Sequence, residues 1–169
     1  MKKMDFTEMD SKIPKNNKAM EKVLEDCFRK KRIQKFSKGD AKTFLAKAQY
    51  HLQTAESFES DNFLDWAVIA YYAAMYMAAK AFTSYFLGQA AKDHGCTISL
   101  MLSVLRGKVF AKKLGRTRKK FDAEIELLGK VRQFRNSVLY NVTQIEESSV
   151  RKTGKTAFNF VEEIRGLLK

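Results

Sequence analysis

Residues that interrupt helices or cross-link a fold are scarce in this chain of 169 residues, which has one proline, eight glycines and two cysteines. Pro14 lies near the start and the glycines are scattered, so nothing in the interior prevents long helices. Cys27 and Cys96 lack the paired spacing of a zinc site or a redox motif, and we expect free, buried thiols. Metal-binding spacings, a Gly-rich phosphate loop and a nucleophile elbow are also missing, so we expect no metal and no cofactor.

Negatively charged residues are also few: the chain has 19 Asp and Glu but 32 Lys and Arg, which gives a net charge of +13. Such an excess favours RNA, DNA or an acidic partner, although a Lys-rich proteome would produce it too. Residues 106–120 contain eight positive charges and no acid. They predict either a surface that follows a phosphate backbone or a solvated loop. The RNA-binding candidates in this stretch are Lys112, Lys113, Arg116, Arg118, Lys119 and Lys120.

Long apolar runs are absent as well. The most apolar stretch, residues 66–79, is closed by Lys80 and is shorter than the roughly 20 residues that a membrane-spanning helix needs. It predicts a core helix. The first fifteen residues mix charges throughout and do not form a signal sequence, so we expect a cytoplasmic protein without membrane contact.

What the chain does contain is helical periodicity. After a loose arm or short capping element in residues 1–15, apolar residues recur at steps of three and four. They predict helices over residues 18–36, 40–59, 63–87, 98–105, 121–140 and from 146 or 149 to 168. Gly39 is the predicted stop of the first helix and Asp40 the N-cap of the second.

The fold class that follows is all-α, an up-and-down bundle of four to five helices. We divide the chain into a charged N-terminal arm and helix, residues 1–38, and the bundle, residues 39–169. The helix over residues 63–87 is apolar nearly all round, so it is expected in the middle of the bundle. Its small residues form one face where neighbouring backbones come close: Ala67, Ala70, Ala74, Ala78 and Ala81.

Three stretches in order resemble the HEPN superfamily. The run Ala70-Tyr71-Tyr72-Ala73-Ala74-Met75 is similar to the Tyr-rich helix that follows the lead helix of HEPN proteins. His94-Gly95 resembles a connection that contains histidine in many small members. The run from Arg135 through Asn136 to Tyr140 falls at the end of a long helix, where HEPN proteins have Arg, usually a polar residue, three more positions and then His. The resemblance covers roughly residues 40–168 and implies a HEPN-like bundle.

Further implications of the resemblance concern function. HEPN bundles usually dimerise, which implies a homodimer, and catalytic members cleave RNA at the dimer seam without a metal. Minimal members are often paired with a small nucleotidyltransferase as toxin and antitoxin. The resemblance therefore implies a protein that acts on or binds RNA, either as a toxin-type ribonuclease or as a non-catalytic module that pairs with a nucleotidyltransferase antitoxin.

The resemblance also assigns the candidate catalytic residues Arg135, Asn136 and Tyr140. In active HEPN proteins the Arg holds the phosphate and the His moves a proton. Tyr140 occupies the His position here, and a phenol of ordinary pKa about 10 is a poor general base near neutral pH. Of the two histidines, we expect His51 to be solvated, and His94 to be either a turn residue or a side chain that reaches a groove.

Overall fold

A computed structural model describes residues 5–107, 117–140 and 145–169 of the chain. Helices dominate these residues. A 3-10 turn at Phe6–Glu8 is followed by α1 (Asn17–Arg29), β1 (Ile33–Lys35), α2 (Lys38–Ser60), α3 (Leu64–Leu87), β2 (Gln89–Ala91), α4 (His94–Arg106), α5 (Thr117–Tyr140) and α6 (Glu147–Leu167). The prediction of an all-α helical bundle is confirmed.

The apolar helix α3 lies at the centre and contacts α2, α4, α5 and α6. The predicted small-residue face is buried, and Ala67, Ala74, Ala78 and Ala81 have no exposed surface. Small side chains let α2 and α6 approach closely enough for their apolar stripes to share one core. Gly88 ends α3 in the left-handed region at φ 63°, which glycine adopts without a Cβ clash.

The boundary between the first two helices differs from the prediction. Ser37, not Asp40, is the N-cap of α2, and the two residues form a capping box in which each side chain accepts from the other residue's backbone N–H. Gly39 is therefore a first-turn residue of α2 and stops no helix. The signal that reveals this boundary is the Ser-x-x-Asp spacing.

The prediction that helix continues through residues 18–36 is wrong beyond Arg29. The chain turns at Lys31, which has φ 51°, and then forms β1. This strand pairs antiparallel with β2, with Ile33 opposite Ala91 and Lys35 opposite Gln89. Neither three-residue strand is long enough to show an alternating pattern in the sequence.

Cys27 and Cys96 form a disulfide that links α1 to the first turn of α4. The expectation of two free thiols is therefore wrong, although both side chains are buried as expected. The bridge spans a sequence separation of 69 residues, so no local spacing could have indicated it.

The N-terminal segment is a capping element across one end of the bundle. Phe6 is buried, and its ring centroid lies 6.2 Å from that of Phe134 on α5. Nζ of Lys130 donates to the carbonyl oxygen of Thr7 at 3.0 Å. These contacts tie residues before α1 to the bundle, while the division of the chain at residues 38 and 39 stays a prediction.

Among the helices in the described ranges, none combines the length and the apolarity that a membrane-spanning helix needs.

Candidate functional site

The C-terminal half of α5 presents two arginines one turn apart, Arg132 and Arg135. Cζ of Arg135 lies 5.9 Å from the centroid of the Tyr72 ring on α3, within the range of a cation–π contact. Nη1 of Arg135 donates to Oδ1 of Asn136 at 3.0 Å. Asn136 and Tyr72 therefore restrict the orientation of the Arg135 guanidinium.

Helix α3 contributes two tyrosines one turn apart, Tyr72 and Tyr76, to the same site. Their ring planes are nearly parallel, with an interplanar angle of 13° and centroids 6.4 Å apart. His94, the first residue of α4, packs against both rings at centroid distances of 5.2 Å to Tyr72 and 4.3 Å to Tyr76. Nδ1 of His94 and Oη of Tyr72 share a hydrogen bond of 2.6 Å.

The position of His94 follows from the way α4 begins. Asp93 is the N-cap and accepts from the backbone N–H of Cys96 at 2.9 Å, which fixes the first turn of the helix. A Cβ at Gly95 would lie 3.8 Å from Nη1 of Arg132, so the start of α4 and the side chain of Arg132 are adjacent. Helices α3, α4 and α5 thus converge on one group of side chains, the His94 cluster, which consists of Tyr72, Tyr76, His94, Arg132 and Arg135.

The electrostatics of this cluster keep its aromatic groups neutral. Burial, and after it the positive charges of Arg132 and Arg135, lower the pKa of His94 to about 4, so the imidazole is uncharged at pH 7. Burial raises the pKa of Tyr72, against a smaller opposing effect of the arginines. The positive charge of the cluster therefore resides on Arg132 and Arg135.

A cavity of about 690 Å³ adjoins the cluster between α1 and α4. Arg132 lines it together with both cysteines of the disulfide. Arg32 and Asp93 form an ion pair on its lining, with Nη1 and Oδ2 3.2 Å apart. Arg132 therefore lies between this cavity and the His94 cluster.

A family model for the HEPN domain matches residues 41–169, which is more than half of the chain. The chain belongs to the HEPN family. No curated protein matches it. HEPN proteins as a family are associated with RNA and with nuclease chemistry. The matched range includes α3, α4 and α5, so every residue of the cluster lies inside the HEPN domain, while α1 and Cys27 lie before it.

The structure brings together only two of the three predicted catalytic residues. Arg135 and Asn136 are half-buried and in contact with each other. Tyr140, which we predicted from the resemblance to stand at the position of the HEPN histidine, is the last residue of α5 and is 80% exposed. The cluster described above does not include it.

The predicted RNA-binding residues of the basic stretch fall into two groups. Lys112, Lys113 and Arg116 lie outside the described residues. Arg118, Lys119 and Lys120 belong to the first turn of α5, which begins four residues before the predicted start. Their role in RNA binding stays a prediction.

Sequence reasoning missed four members of the cluster or underrated them. Tyr72 and Tyr76 had only their spacing of four residues as a signal, and Arg132 had only its position three residues before the predicted Arg135. We predicted His94 to be a turn residue or a groove residue, but it is the first residue of a helix, near enough to Arg132 for that charge to lower its pKa. His51, which we expected to be solvated, is partly buried on α2, and burial and then Lys47 lower its pKa.

Proposed function

We propose that this HEPN protein binds RNA through Arg135 and acts on it as a metal-independent ribonuclease of the toxin type. The observation that carries the proposal is the fixed Arg135 guanidinium, held by Asn136 and lying over the Tyr72 ring. A planar guanidinium offers paired N–H donors that match two phosphate oxygens. Because its partners are an amide and an aromatic ring, no carboxylate in these contacts competes with an incoming phosphate.

The net charge of +13 supports a polyanionic ligand. Arg132, one turn before Arg135, adds a second positive charge at the same cluster. We further propose that two protomers meet at the C-terminal ends of α5 and form one basic groove. The exposed Tyr140 would then line the groove, where its ring could stack on a base.

The test is RNA binding and cleavage by the wild type and by Arg135→Ala. Binding is followed by fluorescence anisotropy with a single-stranded oligonucleotide, and cleavage of total RNA is followed on gels with a chelator present. Arg165→Ala is the matched control, since it removes the same charge from an ion pair on α6. We expect Arg135→Ala to weaken binding about tenfold or more, because hydrogen bonds to charged groups contribute about 1.5–3 kcal/mol.

The salt dependence separates a direct phosphate contact from a general effect of charge. Loss of one contact lowers the slope of log K against log salt by about 0.7 for a single strand. We expect that decrease in Arg135→Ala and a smaller one in Arg165→Ala. If binding and cleavage were both indifferent to Arg135→Ala, the proposed function would be wrong.

The second candidate is a non-catalytic module that pairs with a nucleotidyltransferase antitoxin. The phenol of Tyr140 at the HEPN histidine position favours it, together with the exposure of Leu139 and Tyr140, at 40% and 80%, at the end of α5. Co-elution with a minimal nucleotidyltransferase encoded beside this chain, lost in a Leu139→Asp variant and without any RNA cleavage, would support the module over the ribonuclease.

A further inference from the structure

The position of His94 bears on the chemistry of the proposed ribonuclease, so a role for His94 rests on that proposed function. RNA cleavage without a metal needs a group that accepts a proton from the ribose 2′-hydroxyl. The HEPN motif position holds the phenol of Tyr140, which is a poor proton acceptor near neutral pH. The chain has two histidines, and His94 is the one that lies beside the arginines.

The hydrogen bond between His94 and Tyr72 orients the imidazole. The 2.6 Å contact engages Nδ1, so the other ring nitrogen, Nε2, is the one left for a substrate. The Tyr72 and Tyr76 rings hold the imidazole from α3. His94 is thus fixed by contacts that involve one nitrogen and the ring faces.

The charged groups around His94 come from each element that packs against it. Lys80 of α3 and Arg132 and Arg135 of α5 are positive, and Asp93, the N-cap of its own helix, is negative. Burial, and after it the excess of three positive charges over one carboxylate, lowers the pKa of His94 to about 4. A phosphate that pairs with the arginines would offset them and move this pKa back toward the ordinary 6.5.

We propose that His94 is the proton acceptor of this HEPN site and that its protonation is coupled to phosphate bound at Arg132 and Arg135. This role requires the tautomer in which Nδ1 carries the proton and donates to Oη of Tyr72, so that Nε2 accepts the proton of the ribose 2′-hydroxyl. The 2′-oxygen forms a bond to phosphorus while the bond from phosphorus to the 5′-oxygen breaks. His94 returns its proton through water to that 5′-oxygen, which gives a 2′,3′-cyclic phosphate and a 5′-hydroxyl without any other reactant.

The coupling is measured on the wild-type protein by NMR of the two imidazole rings between pH 5 and 7.5. The probe is a single-stranded oligonucleotide with 2′-O-methyl groups, which binds but lacks the hydroxyl that is deprotonated. His51→Asn removes one of the two resonances and so assigns both. We expect His94 to remain neutral across this range in the free protein and to titrate within it in the complex, while the titration of His51 is unchanged.

Two results separate this inference from the proposed function. If the oligonucleotide binds in an Arg135-dependent manner and His94 still does not titrate, the coupling is wrong and the RNA-binding function stands. If the oligonucleotide does not bind at all, both are wrong.

Cleavage provides the second measurement, with His94→Asn as the variant and His51→Asn as the matched control. Asn keeps an amide near the position of Nδ1 that can bond to Tyr72, but it cannot accept the proton. We expect the cleavage rate to fall at least a hundredfold in His94→Asn, which is the lower end of a typical general-base contribution. Binding of the 2′-O-methyl oligonucleotide should change less than threefold, and His51→Asn should match the wild type.

The pH profile identifies the group that accepts the proton. With His94 in this role, the wild-type rate rises with pH up to about 6.5 and is then level. A rate that continues to rise toward pH 10 would point to a phenol and overturn the inference. Undiminished cleavage by a folded His94→Asn protein would overturn it as well.

Discussion

Reduction of the disulfide between Cys27 and Cys96 should lower the stability of the protein by a large and calculable amount. The bridge closes a loop with a sequence separation of 69 residues. In the chain-entropy model such a loop corresponds to about 4 kcal/mol at 25 °C. At about 2–4 °C per kcal/mol for a protein of this size, the melting temperature should fall by roughly 10 °C.

The assay is thermal unfolding followed by circular dichroism, with and without a thiol reductant. The control is the double variant Cys27→Ser and Cys96→Ser, which should melt near the reduced wild type and should not respond to the reductant. A wild-type melting temperature that changes by less than about 2 °C on complete reduction would mean that the disulfide does not stabilise the fold. Thiol titration of the unfolded protein confirms that reduction is complete.

Three further predictions concern packing and pH. Phe6→Ala should reduce the free energy of unfolding by about 3–5 kcal/mol, because it empties a buried site against Phe134; denaturant unfolding measures this, and a loss below 1 kcal/mol would mean that the N-terminal segment does not cap the bundle. Gly154→Ala should reduce the free energy of unfolding by about 1–3 kcal/mol, because its Cβ would lie 2.7 Å from Cζ of Tyr71. Partial recovery of this free energy in a Tyr71→Leu background would support the contact, and purely additive losses in the double variant would contradict it. His94 has a folded-state pKa of about 4, below the unfolded value of 6.5, so its contribution to stability is present above pH 6.5 and is lost as the pH falls toward 4. The melting temperature of His94→Asn should therefore fall less steeply with decreasing pH over that range than that of the wild type. Identical slopes for the two proteins would contradict the lowered pKa.

The helices of the bundle were predictable because their signals are local. Apolar residues at steps of three and four mark α2, α3, α5 and α6 to within a few residues of their observed ends. Gly88 marks the end of α3, since the left-handed conformation there suits glycine. The charge excess and the HEPN resemblance are also properties of the sequence alone, and the family match confirms the second of these.

Errors arose where a long-range contact overrides a local pattern. The apolar spacing in residues 18–36 favours one helix, but β1 gains backbone hydrogen bonds from β2, which lies more than fifty positions along the chain. Cys27 and Cys96 have no informative spacing, because a disulfide depends on the distance between folded elements.

Composition and helical periodicity were enough to predict an all-α chain with excess positive charge, and the HEPN resemblance pointed to Arg135 as a candidate site residue. Tertiary structure alone decided that His94 lies against Tyr72 and Tyr76 beside Arg132 and Arg135. Helical periodicity shows which face of each helix is apolar. It does not show which neighbouring helix packs against that face, or at which position along the helix axis they meet. The packing of α4 between α3 and α5 settles both, and with them the residues that share the candidate site.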